Sequence, residues 1–282
     1  MGIIDKCDRL GENILRDKGI NSLPIDVKKI AQDAEIILEP FPEGQSGIGY
    51  AGMLLHRGNQ FAIFYSTRIA SEGFQRFTIA HELGHYFIEG HPEAVLDANG
   101  IHKSREPFSS NDSYERQADS FAAGLLMPSW LCQQVARRHD DGLDPIIAIA
   151  DACNTSLMAS AIRYVELSKD KVAILVSQNG KILFSSASPA MLRAGFFVKS
   201  GTPIPANSLS ATCSSDSGFI RKADTGEQES DLSDWSVHDS CLCYEQVKGL
   251  GATGKLLTVL VPQEEDDEDQ EESGDFELRF RR

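Results

Sequence analysis

The chain has 282 residues, 41% of them hydrophobic, a mean hydropathy of −0.25 and a formal net charge of −15. That is enough apolar material for one large domain or two ordinary ones with real cores, no apolar run approaches the ~20 residues that span a bilayer, and the acidic balance argues against a surface for nucleic-acid phosphates. Residues 264–275 alone hold nine acids and no base, which leaves −6 for the remainder, and such a run reads as solvated and disordered.

The start of the chain, Met1-Gly2-Ile3-Ile4-Asp5-Lys6, has no signal-peptide core, and Lys6 stands where a myristoylation signal requires Ser or Thr. The expectation is a cytoplasmic protein without a membrane partner. Its six cysteines (Cys7, Cys132, Cys153, Cys213, Cys241, Cys243) are scattered and so read as reduced, buried side chains. A second metal site at His238, Cys241 and Cys243 with Cys213 is the lesser reading, because structural zinc sites separate paired cysteines by two to four residues.

Residues 5–16 and 24–34 repeat apolar positions at helical spacing, with Pro24 suited to a first helical turn. Residues 35–40 read as a strand. Residues 47–56 and 60–66 are β-rich around the turn Arg57-Gly58-Asn59, so a hairpin is expected to lead into the next helix.

That helix opens at Ser71 as N-cap and carries Phe77-Thr78-Ile79-Ala80-His81-Glu82-Leu83-Gly84-His85-Tyr86-Phe87. His81 and His85 are i and i+4, so both imidazoles leave one face a turn apart and can grip one metal ion. Zinc suits imidazole nitrogen, and a catalytic site takes three protein ligands and keeps one position open. Glu82, about 100° round the helix from His81, falls beside the ion and is placed to take a proton from its water. Gly84 is a poor helix former, and its small size would let another backbone pass close.

Glu89-Gly90-His91-Pro92 stops the helix, and a polar loop runs to Ser113. A second helix follows from Tyr114. On it Glu115 is placed to complete a His/His/Glu zinc site, and Asp119, one turn on, to accept a hydrogen bond from a ligand imidazole. His91 competes for the third-ligand role at ten residues after His81. The Gly that such a pattern needs three residues after the second histidine is replaced by Ile88, so His91 reads as a loop or substrate-facing residue.

Arg76-Phe77-Thr78-Ile79-Ala80-His81-Glu82-Leu83-Gly84-His85, Glu115-x-x-Ala118-Asp119-x-Phe121-Ala122 and Leu125-Leu126-Met127-Pro128 together resemble the ImmA/IrrE metallo-endopeptidases, over about the first 165 residues. The resemblance implies a gluzincin-like zinc domain with Glu115 as third ligand. It also implies a protein substrate, an XRE-type helix-turn-helix repressor whose cleavage relieves repression of phage, mobile-element or stress-response genes. Asp119 stands where many members carry Asn, which keeps the hydrogen-bonding role. A strand edge of the hairpin beside the metal helix would bind an extended substrate.

Residues 144–167 read as two helices around Asn154-Thr155-Ser156, matching the helical segment after the peptidase core. With only Arg163 as a positive charge on the second helix before Lys169, the pair reads as an internal buttress rather than a DNA reader. Tyr164 is a candidate oxyanion donor. Residues 171–177 and 181–185 flank Gln178-Asn179-Gly180 as a hairpin, and residues 255–261 give another strand.

The expected fold is α+β: a minimal zincin-like peptidase domain of short sheet and metal-binding helices in 1–140, a degenerate helix-turn-helix-like segment in 141–169, a small α+β domain in 170–262 and an acidic tail in 263–282. Some relatives carry a GAF-like sensor where 170–262 stands, so a regulatory module is a candidate there. The competing function is a non-catalytic zinc-fold regulator that binds a repressor without cutting it. Retention of Glu82 speaks against that, since a structural zinc site has no use for a general base.

Overall fold

Helix α1 (Ile3–Asp17) turns Cys7, Gly11 and Leu15 inward at four-residue spacing, the face its sequence pattern dictates. The computed structural model to which it belongs describes residues 2–42, 49–104, 112–236 and 240–263. Helix α2 (Val27–Asp33) begins later than Pro24 suggests, because the Asp26 carboxylate accepts from the Lys29 amide at 3.0 Å and sets the cap there. The expected acidic tail and His238 lie outside the described residues.

Strands β1 (Ile37–Pro40), β2 (Gly52–Arg57) and β3 (Gln60–Tyr65) follow. Arg57 pairs with Gln60, so Gly58-Asn59 is a two-residue turn, and Gly58 supplies the positive φ of 60° it needs. β3 then lies parallel to β1. Helix α3 (Glu72–Phe87) starts where Ser71 Oγ accepts from the Phe74 amide at 3.3 Å and stops before Gly90, which is left-handed.

The polar loop expected next contains two further elements, α4 (His91–Val95) and β4 (Ile101–Ser104). β4 has a single large apolar side chain, so composition conceals it. Backbone pairing with β2, from Gly52↔Ser104 to Leu55↔Ile101, makes it a strand, and the Asp97 carboxylate, accepting from the amides of Asn99 and Ile101, shapes its entry. The sheet order is β1-β3-β2-β4. The hairpin therefore has no free edge: β2 lies between β3 and β4, and β3 between β1 and β2. The expectation of an open hairpin edge for substrate is corrected on this point.

Helix α5 (Ser113–Leu126) is capped by Asp112, which accepts from the Tyr114 amide at 2.8 Å, and α6 (Ser129–Ala136) follows. α5 is pressed between α1 and α3. A Cβ on Gly11 would lie 2.6 Å from the Phe121 carbonyl oxygen, one on Gly124 would collide with the Asp8 carbonyl, and one on Gly84 would lie 3.0 Å from Ala118 Cα. The small residue at position 84 does let a second backbone pass.

Helices α7 (Leu143–Cys153) and α8 (Leu157–Leu167) cross at 117° around Asn154, whose φ is 51°. Ile146, Ile149, Ala161 and Val165 belong to one continuous core with Leu83 and Phe121 on one side and Ile174, Val176, Leu257 and Val259 on the other. The pair is apolar because it is covered from both sides, and no single helix among the described residues is long and apolar enough to cross a membrane. Arg163 points inward and is 4% exposed: its Nε donates to the Met127 carbonyl at 2.8 Å, and its guanidinium pairs with Asp8 at 2.9 Å and Glu12 at 3.2 Å. The one cation that a DNA-reading helix would have offered is thus internal. Tyr164 is likewise committed elsewhere, donating to Asp141 at 2.8 Å.

The second sheet opens with β5 (Ala173–Gln178) and β6 (Lys181–Ala187), joined through Asn179 and Gly180 at φ 50° and 74°, as the hairpin signal predicts. Then come α9 (Pro189–Arg193), α10 (Leu209–Ser214), α11 (Ser217–Lys222), β7 (Thr225–Asp231), α12 (Leu232–Trp235), β8 (Leu242–Gly249) and β9 (Leu256–Pro262). All neighbours are antiparallel in the order β6-β5-β9-β8-β7. β8 does alternate, but one inward position is Glu245, which hides the pattern. That buried carboxylate accepts from the amides of Leu209 and Ser210 at 3.0 and 2.7 Å, holding the start of α10. The molecule is α+β, with helices and two sheets, in agreement with the sequence expectation. All six cysteines carry free thiols and five are buried.

Removing one partner from a buried ion pair leaves the other uncompensated. Arg163→Met is expected to lower unfolding stability by about 3 kcal/mol, measured by chemical denaturation, because it removes the buried cation that faces Asp8 and Glu12.

Candidate metal centre

His81 and His85 stand on the inner face of α3, and the α3–α5 contact at Gly84 and Ala118 brings Glu115 across to them. His81 Nε2 lies 3.1 Å from His85 Nε2 and 3.2 Å from Glu115 Oε2, and His85 Nε2 lies 3.5 Å from Glu115 Oε1. His102, on β4, joins them with its Nε2 3.1 Å from Glu115 Oε1. The potential ligand atoms of these four residues all fall within 4.8 Å of one another, and among the described residues they form the sole such cluster. Cys213, Cys241 and Cys243 take no part in it.

The partners of the imidazoles orient them. Asp119 Oδ1 lies 2.8 Å from His81 Nδ1, so the carboxylate accepts that proton and Nε2, once it gives up its own proton, faces the cluster as a donor atom. His85 is set by a longer relay. Gln117 Oε1 accepts from His91 Nε2 at 3.4 Å, His91 Nδ1 is therefore an acceptor, and it takes the His85 Nδ1 proton at 3.2 Å. His85 Nε2 is thereby left with its lone pair toward Glu115. His91 is 1% exposed. It is neither a surface loop residue nor substrate-facing, as the sequence suggested, but the group behind His85, because Gly90 turns the chain back onto α3.

Burial acts to lower the His81 pKa, but the Asp119 and Glu115 carboxylates outweigh it and lift it to about 10. His85, with less to offset burial, falls to about 3. Burial pushes Glu115 up, yet the imidazoles of His102, His81 and His85 together hold its carboxyl well below the usual range. Burial and the surrounding carboxylates thus move the two imidazoles in opposite directions.

Glu82 is fully buried and neither of its carboxylate oxygens has a hydrogen-bond partner of good geometry, although the Ser104 hydroxyl lies close by. Burial raises its pKa, with His81 and His102 opposing. β2 reaches it only because position 52 is Gly: any Cβ there would collide with Glu82 Oε1. A buried carboxylate without partners is costly, and a water held by a cation among the three donor side chains would satisfy it. Two imidazole nitrogens and a carboxylate are zinc's preferred donors, so the residues present fit that ion.

The sequence analysis missed His102. Its only signal was a histidine in a short segment between Gly100 and Ser104, and pairing with β2 rather than any motif carries it to the centre. Loss of an orienting partner costs about 10–100-fold in metal affinity. His91→Ala is therefore expected to load zinc still, but to hold it about 10-fold more weakly in a chelator-competition titration.

Residues 47–164 match the family model Peptidase_M78, the IrrE N-terminal-like domain, a span from before β2 to within α8 that includes His81, Glu82, His85 and Glu115. No match was found among curated proteins. Among solved structures, a Mycobacterium tuberculosis transcriptional regulator is similar with a TM-score of 0.54 at 12% identity, over 91% of this chain and 76% of that one. At that identity the likeness is one of fold, and its span takes in most of the C-terminal sheet. The match over residues 47–164 to the IrrE N-terminal-like domain of M78 peptidases agrees with the resemblance carried by the chain's two helical motifs.

Proposed function

We propose that the protein is a zinc-dependent endopeptidase that cuts one specific protein, an XRE-type helix-turn-helix repressor, to relieve repression of mobile-element or stress-response genes. The observation that carries the catalytic part is Glu82, buried with two unpaired oxygens beside the ligand cluster. His81, His85 and Glu115 would hold the ion, with Asp119 orienting His81. Zinc in that place supplies Lewis acidity, making a water acidic near neutral pH and polarising the scissile carbonyl. Glu82 takes the proton of the attacking water and delivers it to the leaving amine, a role its burial-raised pKa suits. No covalent acyl-enzyme is required, so the buried cysteines need no reactivity.

The regulatory part is supported by the resemblance of the motifs and by the structural neighbour, a transcriptional regulator. The region 170–262, as a GAF-like module, and the acidic tail are candidates for substrate selection, the tail because its charge suits a basic DNA-binding surface. The second reading, a zinc-fold regulator that binds without cutting, is favoured by one observation: His102 offers a fourth donor where a catalytic centre leaves a gap.

Glu82→Gln is expected to retain zinc and lose cleavage at least 100-fold, whereas Glu115→Ala loses zinc; metal analysis alongside the assay separates the roles, and loss of zinc from Glu82→Gln would contradict them. Incubation of the zinc-loaded protein with the repressor encoded beside its gene, and separately with casein, tests selectivity. A single Glu82-dependent cut in the repressor with casein untouched is the expected result. Rapid casein digestion, or an intact repressor beside zinc-loaded protein, overturns the reading.

A further inference from the structure

We infer that His102 is a fourth, displaceable metal ligand, and that β4, which carries it, occupies the edge of β2 that an extended peptide needs in order to reach the centre. A tetrahedral ion with bonds of ~2.0–2.2 Å keeps its ligand atoms about 3.3–3.6 Å apart. The contacts His81–His85, His81–Glu115, His85–Glu115 and His102–Glu115, at 3.1, 3.2, 3.5 and 3.1 Å, all sit close to that separation. His102 meets that criterion toward Glu115, its ligand atom lies within 4.8 Å of those of His81 and His85, and its ring lies 4.3 Å from that of His85, centroid to centroid. With all four donors engaged, the centre has no open position.

β4 is an outer strand, and it lies where added strands lie. It runs antiparallel to β2 through four paired positions, with the Ser104 carbonyl accepting from the Ala51 amide at 2.9 Å and the Gly100 carbonyl from the His56 amide at 2.8 Å. These are the main-chain bonds a peptide substrate would make in joining the sheet. β2 also carries Gly52, the position packed against Glu82, so this edge leads directly to the proton acceptor. Opposite it on β4 is Ser104, whose Oγ is 3.1 Å from His102 Nε2. Only four residues pair, and Lys103 among them is exposed. A peptide with a longer extended segment can outcompete so short a strand. Taking its place removes His102 and opens the coordination position in one movement. A general protease activity is thereby suppressed until a matching segment arrives.

The ligand assignment stands on geometry alone; the substrate-displacement half rests on the peptidase reading above. Cobalt(II)-loaded protein tests both without an activity assay. X-ray absorption of the zinc form should count three imidazoles in the wild type and two in His102→Ala or His102→Gln. His102→Ala should hold zinc at least 10-fold more weakly, and its cobalt spectrum should respond to acetohydroxamate at concentrations at least 10-fold lower than the wild type requires. A Met53→Cys/Lys103→Cys pair, facing each other across β2 and β4, should resist acetohydroxamate when oxidised and respond like the wild type when reduced. Equal imidazole counts and equal acetohydroxamate responses in wild type and both His102 variants overturn the ligand assignment. An oxidised cysteine pair that responds like its reduced form overturns the strand displacement. Failure of the wild type to bind either metal removes the metal centre itself, a result distinct from both.

Discussion

The centre depends on how closely α5 can be pressed between two other helices. Gly84 on α3 admits the backbone at Ala118, and on the opposite side Gly11 of α1 admits the Phe121 carbonyl of α5 while Gly124 of α5 admits the Asp8 carbonyl of α1. Side chains at any of these positions would hold the helices apart by the width of at least a methyl group. Glu115 is then out of reach of His81 and His85, and the donor set is never assembled. Glycine inside a helix costs roughly 1 kcal/mol against alanine, and here three such losses are offset by the packing of Phe121, Leu125 and Leu126, all fully buried.

Once the helices are in place, hydrogen bonding decides which way each donor faces. Asp119 claims one proton of His81, and Gln117 acts through His91 on His85, so both Nε2 lone pairs converge on the same point. Every imidazole of the set has a well-formed partner, whereas neither oxygen of Glu82 has one of good geometry, and protein interiors seldom leave a buried carboxylate so poorly satisfied.

The second sheet does not stand apart from this arrangement. Helices α7 and α8 share one core with α3 and α5 on one side and with β5 and β9 on the other. Arg163 extends the same connection electrostatically, tying α8 to α1 and to the end of α5 through Glu12, Asp8 and the Met127 carbonyl.

The sequence by itself determined whatever depends on local spacing. His81 and His85 are one helical turn apart, so their shared face and the place of Glu82 beside it follow from ~3.6 residues per turn, and Glu115 with Asp119 follows the same rule on α5. The Ser71 cap, the Gly58-Asn59 and Asn179-Gly180 turns and the α+β class were legible for the same reason. Only the tertiary structure decided the rest. β4 became a strand through its partner β2, with too few apolar residues to declare itself, and that pairing brought His102 to the candidate metal centre and closed the hairpin edge that the sequence had left open. His91 moved from a presumed loop to the back of His85 because Gly90 reverses the chain. Glu245 disguised β8, since a buried charge is intelligible only with the α10 amides that satisfy it. Each of these is a contact between residues distant in sequence or a reversal of chain direction, and no periodicity along the chain encodes where such a contact will fall.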